Sequence, residues 1–447
     1  MKRSWCIAAF SLALLSGAAV AEMRSWTNTS GQIIEAEMVG VNVAQRAVRV
    51  RLKNGADFEI AIDNLSPPDK AYAKDHWQTM QNAPASTAPG GISEASLKSL
   101  PESYRSRFLP TTRLEAIRRG GGTPEMDAAV VTSLNLFKTS QNPDGSWGRS
   151  NKGAMTGFVL QCFLGHGETP DSPEYGDTVM KGVMYLIELG RKNPSGIFSE
   201  KWDAQPGGAG TYEHAIATTA VGEAYITARL GSKMLPGLRE SFETAIKTII
   251  SQQTKSGSWT YGGKILVYNP DGGSDLSLAN WHFQALNVAK ATGLKIDGLD
   301  SCIKKALSYI DSIQTKDGGF GGADRNAHYN QWSLSGGAAA GHLMLTGKST
   351  PAAKKGVKFI SGFLQAEPPD WEKNCNLYSW HGYGNALFLN GGAEWTTFAS
   401  QVMPQILAAQ QPDGSFKRGR PNWPAADAAD STYRQALCTL ILETFYR

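Results

Sequence analysis

The chain has 447 residues, a 41% hydrophobic share and a formal net charge of +4; the length admits two or three domains of ordinary globular composition. Two of the 44 basic side chains, Lys2 and Arg3, fall in an N-terminal leader, and the rest nearly balance the 40 acidic ones with no basic block, which argues against nucleic acid or an anionic membrane surface as partner. Beyond the leader only Cys162, Cys302, Cys375 and Cys438 remain, too few and too scattered for a disulfide framework and expected as buried thiols.

Residues 1–21 read as a signal peptide: Lys2 and Arg3 give a positive start, Trp5 to Leu15 an apolar stretch, and Ala19-Val20-Ala21 a small-residue cleavage site. That stretch is too short to span a bilayer and no later one is long enough, so the mature protein is expected to be exported, periplasmic or extracellular.

Residues 22–80 have a β pattern. Val48, Val50 and Leu52 alternate with Arg49, Arg51 and Lys53, Asn54-Gly55 signals a hairpin turn, and Phe58, Ile60 and Ile62 alternate on the return. Leu65-Ser66-Pro67-Pro68-Asp69 then opens a helix carrying Tyr72 and Trp77. Trp26, Gly31, Ile34-Glu35-Ala36, Leu52, Asn54-Gly55, Leu65-Ser66, Asp69 and Tyr72 together resemble the bacterial form of the SLA1 homology 1 domain, a small SH3-like β-barrel. That resemblance implies a peptide or protein partner; a spacer role fits the residues equally well. Residues 81–122 follow as a linker, Asn82 to Gly91, and a basic lead-in helix, Pro101 to Arg119, ended by three glycines.

From 123 to 447 one heptapeptide organises the chain. Gln141 to Trp147 recurs as Gln253 to Trp259, Gln314 to Phe320 and Gln410 to Phe416, each with a glutamine six positions before an aromatic and Gly-Ser or Gly-Gly just ahead of the ring. Two degenerate copies, Lys192 to Phe198 and the glycine-less Gln365 to Trp371, complete a set of six. Such a quasi-period defines a repeat protein. Before each copy lies an amphipathic helix; in the fourth, Leu299, Ile303, Leu307 and Ile310 oppose Lys304, Lys305 and Ser308. After each copy comes a helix apolar or small on most sides, such as the one carrying Gly336-Gly337-Ala338-Ala339-Ala340-Gly341. Those glycines favour an inner position where helices touch closely. Six outer–inner pairs predict an (α/α)6 toroid, with an open superhelical stack as rival.

The glutamine–aromatic repeats resemble the QW motifs of the squalene cyclase and prenyltransferase β-subunit superfamily of α/α toroids, in which the glutamine ties an outer-helix end to the aromatic and its turn. Thr156-Gly157-Phe158 with Phe163 to Gly167 also resembles exported toroid proteins of planctomycete-type bacteria that have no assigned activity. The superfamily's chemistry does not carry over. Asp427-Ala428-Ala429-Asp430 is one carboxylate short of the cyclase Asp-x-Asp-Asp motif. Asp300-Ser301-Cys302 spells the prenyltransferase zinc pair but starts an outer helix. The thioester motif of complement-like toroids is absent.

The candidate site is the mouth formed by inner-helix N-termini, where unpaired N–H groups favour anions. Glu213, His214, Asp275 and Asp430 are the candidate catalytic groups; Tyr212, Trp281, His282, Trp332, Tyr378, Trp380, His381 and Tyr383 form a candidate aromatic ligand cup, for a glycan or a hydrophobic molecule such as an isoprenoid. His214, His282 and His381 lack the spacing of a compact metal motif, so neither metal nor cofactor is expected. The favoured reading is an exported binding or scaffold protein. The alternative is an enzyme acting at the mouth, cyclase-like on an isoprenoid or lyase- or hydrolase-like on a polysaccharide.

Overall fold

The computed structural model describes residues 23–42, 47–52, 57–82, 92, 94–200, 210–233, 235–260, 273–420 and 430–447. The leader, the Asn54-Gly55 turn, most of the linker and Asp427 lie outside them. The chain divides into two compact units, residues 1–86 and 87–447, and it is mainly helical.

In the first unit β1 (Arg24–Thr27), β2 (Ile33–Asn42), β3 (Ala47–Leu52) and β4 (Asp57–Ala61) pair antiparallel in sequence order, and α1 (Pro67–Asn82) follows. The alternation turns Val48 and Val50 inward onto Trp26, Ala36, Met38, Leu65 and Ala73. Phe58, placed by the same alternation, lies exposed on the edge strand β4. Asp69, in the first turn of α1, accepts hydrogen bonds from the Thr27 N–H, the Ser66 hydroxyl and Arg24. The Arg24 guanidinium in turn lies 3.6 Å from the centre of the Tyr72 ring, so Ser66, Asp69 and Tyr72 are joined through Arg24 in one lock. The expected closed barrel is not found among the described residues. β1 and β4 stay unpaired edges, and a single bridge, Asn28–Leu65, ties the chain after β1 to the chain after β4; closure needs a continuous ladder around the sheet.

The second unit begins with α2 (Glu94–Leu97), α3 (Glu102–Arg105) and α4 (Pro110–Arg119). Leu97, Leu100, Tyr104 and Phe108 from this stretch share a core with Ile226 and Val288, so the lead-in packs on the repeats. The outer helices are α5 (Pro124–Thr139), α7 (Gly176–Lys192), α9 (Leu238–Ser251), α11 (Leu299–Ile313), α13 (Pro351–Ala366) and α15 (Ala393–Ala409). Between them run the inner helices α6 (Lys152–Gly165), α8 (Gly210–Thr227), α10 (Leu276–Thr292), α12 (Gln331–Thr346), α14 (Leu377–Asn390) and α16 (Ser431–Leu442). Burial divides the two classes: α11 buries one face, whereas every residue of α6 from Gly153 to Gly165 is buried. Each inner helix packs on the next, and α16 packs on α6, so the order of contacts closes on itself. The glycine run of α12 has the expected cause. A Cβ on Gly336 would stand 2.7 Å from the Gly382 carbonyl carbon of α14, leaving room for glycine only.

The heptapeptide keeps the expected tie between the glutamine and its own turn and adds a second tie that the superfamily expectation does not include. Gln141 Nε2 donates to Gly145 O of its own turn and to Thr178 O, in the first turn of the next outer helix, both at 2.9 Å. Gln253 reaches Cys302 O and Gln314 reaches Ala352 O in the same way. Gln410, after the last outer helix, donates to Ala129 O at 2.8 Å and Ser133 Oγ at 3.0 Å on the first. The glutamine therefore joins neighbouring outer helices, because an acceptor in the first half of the next one comes within reach of its amide. Contact with the inner helix comes from the aromatic residue's own N–H. It is accepted by Thr156 Oγ1 at Trp147, His214 Nδ1 at Phe198, Ser335 Oγ at Phe320 and Gln435 Oε1 at Phe416. The turn glycine has two reasons to be glycine. At Gly257 φ is +93°, and a Cβ there would lie 2.2 Å from Lys305 O. The fifth copy departs from this scheme: Trp371 N–H is accepted by Gln405 Oε1 of α15.

Candidate functional site

The four candidate catalytic groups are all engaged by structural hydrogen bonds. Glu213 accepts from the Gly153 N–H, in the first turn of the neighbouring α6, and from the Ser199 hydroxyl; burial raises its carboxyl to about 7 against those bonds. Asp275 caps α10 by accepting from Leu278 N, and Tyr212 reaches the same corner through Ser277 Oγ at 2.6 Å. Asp430 caps α16 at Thr432 N and takes the Arg149 N–H at 2.6 Å. His214 accepts the Phe198 N–H on Nδ1 and donates from Nε2 to Ala245 O, an arrangement that fixes the neutral ring; burial lowers it to about 4. Glu213, Asp275 and Asp430 thus satisfy exposed N–H donors at or near helix starts, whereas His214 ties the turn at Phe198 to the middle of α9.

The three histidines do not converge. His282 faces Trp259, its ring stacked at 4.4 Å on the repeat aromatic, while His381 stacks on Trp281 at 5.7 Å. Among the described residues no group of three or more His, Cys, Asp or Glu is placed to hold a metal ion.

The aromatic cup divides into two places. Trp281, Tyr378 and His381 meet between the inner helices, where Trp281 packs edge-on against Phe158 at 5.1 Å and Phe158 in turn against Tyr433. Tyr378 accepts from Asn280 Nδ2 and donates to Ser277 O. Trp281 is 5% exposed, and the void bounded by these rings, Asn280, Gln284 and Asn385 measures about 20 Å³, room for a single water. Burial pushes His381 down to about 3.

Trp332, Trp380 and Tyr383 instead line a groove of about 450 Å³ beside the starts of α12 and α14, within the range of small-molecule sites. Trp332 is 37% exposed and lies flat over Phe363 of α13 at 5.6 Å. Tyr383 donates its hydroxyl to Trp332 O, holding the start of α12 against α14, and Trp380 backs onto Trp371. Asn376 caps α14: its Oδ1 accepts the Ser379 N–H, so the amide orientation is set, and its buried Nδ2 has no hydrogen-bond partner. Asn330, Glu367, Lys373 and Asn374 complete the polar lining, with Cys375 as a buried thiol. Sequence reasoning missed Phe363, which lies on an outer helix, and Asn376. The available signal for Asn376 was an N-cap residue just ahead of the fifth inner helix.

No family model matches the chain, and no curated protein matches it. Among solved structures, a protein from Actinoplanes is similar with a TM-score of 0.45 and 10% identity, over 72% of this chain and 98% of its own.

Proposed function

We propose that this is an exported, non-catalytic binding protein. In this reading residues 123–447 form a terpenoid-cyclase-like (α/α)6 toroid, the N-terminal unit is an SLA1 homology 1-like module for a peptide or protein partner, and the ligand site is the lateral groove. The toroid is supported by the closed order of inner-helix contacts and by Gln410 reaching the first outer helix. The observation that carries the functional reading is Trp332, an exposed ring laid over Phe363 at the mouth of a 450 Å³ groove. Exposed aromatics at a concave surface mark binding sites. A catalytic mouth is disfavoured because Glu213, Asp275 and Asp430 each give at least one oxygen to a backbone N–H group.

The test is mass spectrometry of small molecules carried by the protein purified from its own source, wild type against Trp332→Ala. A compound present on the wild type and lost from the variant is expected. A compound retained equally by both would place the site elsewhere.

A further inference from the structure

We propose that the groove takes a neutral oligosaccharide, one sugar ring lying on Trp332 and a hydroxyl or ring oxygen meeting the Asn376 amide. This rests on the groove being the ligand site, and its class follows from the groove's own chemistry.

The floor demands a polar ligand. Asn376 is 3% exposed, its Oδ1 is committed to the helix cap, and its Nδ2 donor has no hydrogen-bond partner. The Ser379 hydroxyl lies fully buried on the same wall, beside the Tyr383 hydroxyl. The Asn376 donor is already closed off from water, at about 1–3 kcal/mol for a buried group left unsatisfied, and a hydrocarbon seated here would leave that cost in place. A sugar brings hydroxyls able to donate and accept on every ring.

The walls demand an apolar face as well. Trp332 and Phe363 stack at an interplanar angle of 18°, leaving the indole as a flat, partly exposed surface. The C–H face of a pyranose matches such a surface. The rim disfavours an anion. Lys373 is already paired with Asp370 at 2.9 Å, and Glu367 adds a carboxylate to the lining.

Isothermal titration with neutral gluco-, xylo-, manno- and N-acetylchito-hexaoses, and with farnesol as the apolar probe, tests the inference. The variants are Trp332→Ala and Asn376→Asp; the aspartate keeps the acceptor that caps α14, exchanges the donor for a second acceptor and, when ionised, adds a negative charge. At least one hexaose is expected to bind, weakened tenfold or more by Trp332→Ala and about tenfold by Asn376→Asp. If no hexaose binds at millimolar concentration, or Asn376→Asp binds as the wild type does, the inference falls. Farnesol binding that Trp332→Ala abolishes, with no hexaose bound, also overturns it while leaving the groove as the ligand site. Hexaose binding untouched by either variant overturns both the inference and the groove.

Discussion

Trp281 and Trp332 stand on neighbouring inner-helix turns of the same repeat series, yet their surroundings are opposite. Trp281 is enclosed on every side by rings from other inner helices: Phe158 of α6, and Tyr378 and His381 of α14. Trp332 has one ring beneath it, Phe363 of an outer helix, and its other face is open. The difference arises from how many helices bring a side chain to the spot. At the centre the inner helices converge and their rings fill the space; beside the starts of α12 and α14 only Phe363 of α13 backs the indole, and a groove is left. An aromatic residue near an inner-helix start is therefore core or binding surface according to its neighbours.

The largest expected effect breaks the comparison if it fails. Trp281→Ala should cost about 3–5 kcal/mol of stability, the range for removing a packed aromatic, read from urea unfolding. A loss below about 1 kcal/mol would mean that the centre is open and Trp281 belongs to a cavity.

The smaller effect sharpens it through pH. His381 is held neutral by burial, with a pKa lowered to about 3 by desolvation first and Arg447 second. The unfolded ring titrates near 6.5, so between pH 6.5 and 3 the unfolded chain binds a proton that the folded one does not. Its contribution to stability is thus complete above 6.5 and is lost at about 1.4 kcal/mol per pH unit as the pH falls below it. His381→Phe removes this term. Thermal midpoints of the two proteins, measured from pH 7.5 to 5, should draw together or cross as the pH falls, the wild type losing more. Parallel curves would indicate a solvated His381 and a wet centre.

The helical repeats were legible because their signals are local. The period of Leu299, Ile303 and Ile310 names a buried face, the glycines of α12 name a close approach, and the heptapeptide spacing names the turn. What each glutamine binds was not legible, because Thr178 O, Cys302 O and Ala129 O are backbone acceptors that any sequence supplies. The candidate acids and histidines were legible as residue types but not by role. Glu213 and His214 sit where a mouth would place them, but their partners are N–H groups brought in by the turns at Gly153 and Phe198. The groove required three elements distant in sequence: the first turn of α12, Phe363 of α13 and the Asn376 cap of α14. The closed barrel was over-read: strand alternation reports which face is buried, and carries no information on whether β1 and β4 meet.

The contrast between a filled centre and an open groove is tested most directly by fluorine NMR. Protein labelled with 5-fluorotryptophan, with resonances assigned by Trp281→Phe and Trp332→Phe, is titrated with the molecule it carries from its source. The account predicts that the Trp332 resonance moves with ligand while that of Trp281 stays in place. Movement at Trp281 with Trp332 unchanged would contradict it.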